Sequence, residues 1–226
     1  HFKWPGKVEK LRSVFSELKA RFYEEAASLT ANMEKRGGGV LDVELCDRTA
    51  LEADYYQLLV RFDTCDSMGA NFINSVLESF ARSLTDFLAG HPAFGEEERR
   101  VEVIMSILSN YTPDCLVRTW VECPVEALDG VCQELDAATF ARRFQQAVRI
   151  AHIDPHRATT HNKGIFNGVD AVVLATGNDF RAGEACGHTY AARDGQYRSL
   201  SHCRLETGTF RFWLDLPIAL GTVGGL

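Results

Sequence analysis

Along residues 7–36 apolar side chains recur at intervals of three and four: Val8, Leu11, Val14, Phe15, Leu18, Phe22, Ala26, Leu29 and Met33. That period puts them on one face of a helix, and the run Gly37-Gly38-Gly39 ends it. Residues 40–48 and 55–64 then alternate or run apolar as strands do, and their short connection makes them hairpin partners. A second amphipathic helix follows residues 66–71 and reaches Leu88, its stripe being Ile73, Val76, Leu77, Phe80, Leu84, Phe87 and Leu88. Residues 101–108 and 116–122 read as further strands. Helix, strand, strand, helix, strand is the ferredoxin-like order with its first strand missing. The expected fold class is therefore α+β, with a small ferredoxin-like domain over residues 1–125. Residues 133–150 form another amphipathic helix, and 197–205 with 209–216 a hairpin turning at 206–208. These fall in residues 126–226, expected to be part of a larger, helix-rich α/β domain.

Residues 154–187 break the pattern. Arg157, Thr159, Thr160, His161, Asn162, Lys163, Asn167, Asn178, Asp179 and Arg181 crowd between short apolar runs, where a core helix would carry Leu and Ala. Such a density of polar groups asks for a ligand.

Composition narrows the classes. With 46% hydrophobic and 24% charged residues the chain is an ordinary globular one, neither disordered nor fibrous. A net charge of -7 argues against a nucleic-acid surface. The seven cysteines are odd in number and form no C-x-x-C pair, the usage of reduced thiols in a cytoplasmic protein. No stretch of eighteen apolar residues predicts a membrane span. Cys186, His188, His202 and Cys203 fit no usual structural zinc spacing, so no metal is expected. A cysteine nucleophile, as in an acyl-CoA transferase, stays open as an alternative.

Particular residues suggest chemistry. Gly69, where a strand gives way to a helix, would let a phosphate approach the backbone at a helix start, although on local grounds the stretch reads more readily as an Asp66 helix cap. No G-x-G-x-x-G occurs, so a Rossmann domain is not supported. Asp42, entering a strand after the glycine run, suits a ribose diol and would repel a 2′-phosphate; an exposed strand-start Asp is the alternative. Lys163 would stabilise an oxyanion in a closed site, if it is more than a solvated surface charge. Arg157 offers a fork for a carboxylate, and Asp179 a helix cap or a buried partner for a cation.

Four blocks in order, Asp66-Ser-Met-Gly-Ala-Asn71, Thr160-His-Asn-Lys-Gly-Ile-Phe-Asn-Gly168, Ala175-Thr-Gly-Asn-Asp-Phe-Arg181 and Gly221-Thr-Val-Gly-Gly225, resemble the class II (bacterial and archaeal type) 3-hydroxy-3-methylglutaryl-coenzyme A (HMG-CoA) reductases. Ser67 in place of the family's Ala is a small departure. The resemblance implies that the first domain binds NADH or NADPH through Asp66, Met68, Gly69 and Asn71; Asp42, by its place after the glycine run alone, would favour NADH. It implies that Arg157, His161, Asn162 and Asn167 contact substrate, that Lys163 is catalytic, and that Asp179 hydrogen-bonds Lys163 and keeps it charged. The implied reaction takes HMG-CoA to mevalonate and CoA, reversibly, in a homodimer or higher homo-oligomer with shared active sites. A catalytic Glu and His of the family have no counterpart here, and the glycine-rich motif stops short, so the chain reads as a central fragment, inactive alone. The rival reading is a non-catalytic ferredoxin-like binding or regulatory module.

Overall fold

The computed structural model describes residues 1–222. The chain divides into two compact units, His1–Leu108 and Ser109–Leu226.

The first unit runs β1 (Phe2–Lys3), α1 (Val8–Glu34), β2 (Gly39–Asp47), β3 (Tyr55–Asp63), α2 (Ala70–Gly90) and β4 (Glu102–Val103). Its antiparallel sheet has the order β2-β3-β1-β4, the ferredoxin-like arrangement. The first strand is therefore present. It is only two residues long, too short for an alternating pattern to register in sequence, and pairing with both β3 and β4 creates it. The strand expected over residues 101–108 shrinks to Glu102–Val103 for the same reason, since β1 offers it so short a partner.

The helices bury most of the stripe that their period predicted, the exception being Leu29, which is exposed. Leu11, Leu18, Phe22 and Ala26 of α1 pack with Val76, Phe80, Leu84 and Leu88 of α2 over Val43 and Tyr56 of the sheet. Phe22 and Phe80 stack with centroids 4.6 Å apart. Trp4 is fully buried, and its indole N–H is satisfied by donating to the Glu98 carbonyl.

The second unit contains β5 (Leu116–Pro124), a 3-10 turn, α3 (Ala137–Ile153), α4 (Pro155–Ala175), α5 (Phe180–Ala191), β6 (Ser201–Glu206) and β7 (Thr209–Pro217). Its antiparallel sheet has the order β5-β7-β6. Residues 116–122, grouped by sequence with the first domain, instead pair with β7 from Leu116↔Pro217 to Pro124↔Thr209. A strand names no partner until the chain folds. Here Arg118 lies opposite the buried Asp215 and holds it by two hydrogen bonds of 2.5 and 2.9 Å, a bond that only this register permits. The β6–β7 hairpin turns at Thr207 and Gly208, both with positive φ (50° and 79°), as a two-residue primed turn requires.

Residues 154–191 are helical nearly throughout, as α4 and α5. Asp154 caps α4 by accepting from His156 N, and Pro155 occupies its first turn. Phe166 of α4, Ala191 of α5, Leu200 and Leu216 form the unit's apolar centre. Gly187 lets α5 lie close, because a Cβ there would sit 2.5 Å from the Phe166 ring.

Candidate active site

Helix geometry sorts the polar residues of α4 onto two faces. Ala158, Asn162, Phe166 and Val173 are buried, while Arg157, Thr160, Lys163 and Asn167 all project from the opposite, exposed side. Among the described residues neither Arg157 nor Lys163 has an ion-pair partner. Gly164 and Gly168, also exposed, directly follow Lys163 and Asn167. A Cβ at either would meet nothing within 4 Å, so packing among these residues does not require glycine. Each glycine costs a helix interior about 1 kcal/mol relative to alanine. Close approach of a ligand to the helix backbone would account for them.

The structure separates two residues that the motif had grouped as substrate contacts. Asn162 is completely buried, and its amide is spent on the backbone: Nδ2 donates to the Arg198 carbonyl at 2.9 Å, and Oδ1 accepts from Leu200 N at 3.0 Å. It ties α4 to the segment entering β6, on the buried side of the helix, away from the exposed Lys163. His161 is half-buried, bonded to the Ser201 hydroxyl at 2.6 Å, and its pKa is lowered by burial and then by the Arg157 charge. Arg157 and Asn167 stay exposed and able to touch a ligand.

Asp179 caps α5, accepting from the Arg181 and Ala182 amides, and also pairs with the Arg181 guanidinium at 3.2 Å. That hydrogen bond holds its carboxyl below the usual range. The expected contact with Lys163 is not made; Arg181 takes the place of that cation. Beside it, Asn178 is buried and exchanges two hydrogen bonds with Gly221, joining the 175–181 block to the start of the glycine-rich one. The remainder of that last block, from Val223, lies outside the described residues.

One titratable pair escaped the sequence reading. Burial pushes the Asp170 carboxyl up, and the neighbouring Glu184 carboxyl of α5 pushes it further. The two are fourteen positions apart on different helices, so no local spacing reveals them.

In the first unit, α2 starts at Gly69, which has φ +76° and no side chain capping the helix. A Cβ there would come within 2.4 Å of Thr64 Cγ2, so glycine is required. The N-cap position is Gly69 rather than Asp66, so no side chain occupies it. Met68 is half-buried and Asn71 exposed around this turn. Asp42 is not an unpaired carboxylate: Lys19 lies at 2.5 Å and Arg61 at 3.8 Å, and the Lys19 hydrogen bond keeps its pKa low. With two cations beside it, repulsion of a 2′-phosphate by Asp42 loses its force.

The cysteine and histidine candidates do not converge; among the described residues no three His, Cys, Asp or Glu side chains could share a metal ion. Cys186 is buried and accepts from Thr112 N. Burial pushes the Cys203 thiol up to about 11, which removes the thiolate a nucleophile needs. No helix among the described residues is long and apolar enough to cross a membrane.

Fold and site thus define an α+β protein whose ferredoxin-like unit starts its second helix at a positive-φ glycine and whose second unit presents a cationic, glycine-bearing helix face. The family model for hydroxymethylglutaryl-coenzyme A reductase matches residues 2–226, and the chain belongs to that family. It is 32% identical over 221 residues to a probable 3-hydroxy-3-methylglutaryl-coenzyme A reductase of Borreliella burgdorferi, covering 97% of this chain and 48% of that protein. For the 3-hydroxy-3-methylglutaryl-coenzyme A reductase of Archaeoglobus fulgidus the figures are 30%, 97% and 45%. A solved class II reductase of Streptococcus pneumoniae, bound to NADPH in open conformations, superposes with a TM-score of 0.77 at 36% identity, covering 96% of this chain and 55% of that one. The chain spans about half the length of the curated relatives it matches.

Proposed function

We propose that the complete protein carrying this chain reduces the thioester of HMG-CoA to mevalonate and free CoA, as the names of its relatives suggest. The supporting observation is the exposed face of α4, where Lys163, Arg157 and Asn167 stand around two glycines that no neighbour requires. Lys163 faces the thioester carbonyl and stabilises the oxyanion that forms there; an ammonium needs no proton transfer to do this. Arg157 holds the carboxylate at the other end of the hydroxymethylglutaryl chain through a bidentate fork. Asn167, four residues from Lys163 and on the same face, orients the carbonyl or the hydroxyl. Asp179, paired with Arg181 at the start of α5, contributes a fixed negative charge.

The nicotinamide dinucleotide supplies hydride when bound. The residues that would hold it are those around the turn at Gly69, whose missing side chain and uncapped helix start suit a phosphate, with Asp66, Met68 and Asn71 flanking. The two cations beside Asp42 make NADPH as acceptable as NADH. The first unit, to Leu108, serves the dinucleotide, and the second, from Ser109 and including β5, serves the thioester. A homo-oligomer is the reading's natural assembly, because Trp120, Val121, Val172 and Leu174 of the second unit are each more than half exposed.

The test is single-turnover hydride transfer in the complete protein with Lys163→Ala. Loss of one oxyanion donor costs about 3–4 kcal/mol, so the rate should fall by roughly a hundred- to a thousand-fold while dinucleotide binding, followed by fluorescence, is kept. A variant retaining more than about a tenth of the rate, equivalent to about 1.4 kcal/mol, removes Lys163 from that role.

A further inference from the structure

In the second unit, α3, the segment after α5, and strands β6 and β7 enclose a cleft of about 540 Å³, a size suited to a small ligand. Arg149, Arg193 and Arg198 stand on its wall, with His152, His202 and Trp213 beside them. None of these six is among the residues assigned above to substrate or dinucleotide.

Charge is the cleft's main feature. Arg198 is paired with Asp194 at 2.8 Å, whereas Arg149 and Arg193 have no carboxylate partner among the described residues. Two guanidinium charges are thus uncompensated. The imidazoles do not add to them: His202 is lowered to about 4 and His152 is lowered too, both chiefly by burial.

Arg193, Arg198 and the aromatic groups are also held in place before any ligand arrives, while Arg149 is left exposed at the wall. Arg198 donates to the His152 carbonyl at 2.7 Å, and Arg193 donates to the Tyr190 carbonyl at 2.7 Å while lying 3.8 Å over the Tyr190 ring. His152 and His202 lie 4.8 Å apart, and His202 stacks on Trp213 at 5.0 Å. Side chains fixed in this way lose little freedom on binding. Guanidinium forks match phosphate oxygens in pairs.

We infer that this cleft binds a small phosphorylated anion carrying two or more negative charges, with Arg149, Arg193 and Arg198 as its ligands. The requirement for two charges follows from the two unpaired guanidiniums. The inference does not rest on the reductase reading, since the cleft's geometry is independent of turnover.

The probe is sodium pyrophosphate, titrated calorimetrically into the complete protein at fixed ionic strength, with sodium chloride of matched ionic strength as control. Arg149 is exposed and makes no hydrogen bond, so Arg149→Ala should fold normally. It should weaken pyrophosphate binding roughly ten- to a hundred-fold, the loss of one charge-assisted pair, and Arg149→Glu should abolish it. The Michaelis constants for the CoA thioester and for NADPH should stay within about twofold in both variants. Absence of saturable pyrophosphate binding overturns the inference, as does binding that Arg149→Glu leaves intact. Because CoA and NADPH also carry phosphates, a parallel rise in either Michaelis constant would assign the cleft to that molecule and overturn it as well.

Discussion

Replacing Asn162 with alanine should destabilise the protein more than its position in a polar motif suggests. The side chain is fully buried and satisfies two backbone groups, the Arg198 carbonyl and the Leu200 amide. Leu200 is itself only 2% exposed, so water cannot replace the lost acceptor. A stranded buried donor costs about 1–3 kcal/mol, and the second hydrogen bond contributes about 1 kcal/mol more. The sum, about 2–4 kcal/mol, is a large part of the 5–15 kcal/mol that holds a typical domain together. For a unit of this size it corresponds to a fall in melting temperature of roughly 8–15 °C. Circular dichroism melts of the complete protein would measure it. Steady-state kinetics well below the transition should show kcat falling, because α4 and with it Lys163 lose their anchor, with a smaller change in KM. If melting is unchanged within about 1 °C and KM for the thioester rises instead, Asn162 touches substrate and the positioning role is refuted.

Gly164→Ala should raise stability by up to about 1 kcal/mol, since the added methyl meets nothing within 4 Å, yet lower kcat/KM for the thioester; unimpaired kinetics would mean that no ligand approaches the helix there. Asp179→Asn keeps the α5 cap, since asparagine caps as well as aspartate, so melting should change little while hydride transfer slows markedly; equal losses of both would reduce Asp179 to a structural cap. His202 sits among His152, Asp215, Arg118 and Arg193 and is lowered from 6.5 to about 4 in the folded protein. The unfolded chain therefore takes up its proton first, so stability is full above pH 6.5 and declines between 6.5 and about 4. His202→Phe should flatten that part of a pH–stability curve, and an unchanged slope would show that this imidazole is not the group responsible.

Local rules determined much of this protein. A three-four period and a glycine run are enough to specify α1, and the same period specifies α2 and most of α3. Alternation with a two-residue turn specifies the β6–β7 hairpin, and unusual polarity marked residues 154–187 as a place for chemistry. Each of these depends on neighbours a few positions away, which sequence displays directly. The tertiary structure decided what depends on distant partners. Phe2–Lys3 is a strand only because β3 and β4 lie on either side of it. Residues 116–124 joined the second sheet because β7 places Asp215 opposite Arg118. Within one motif, Asn162 turned inward to hold two backbone groups while Lys163, its neighbour, turned outward. Adjacent helical residues lie about 100° apart, so only the direction of the core could tell them apart.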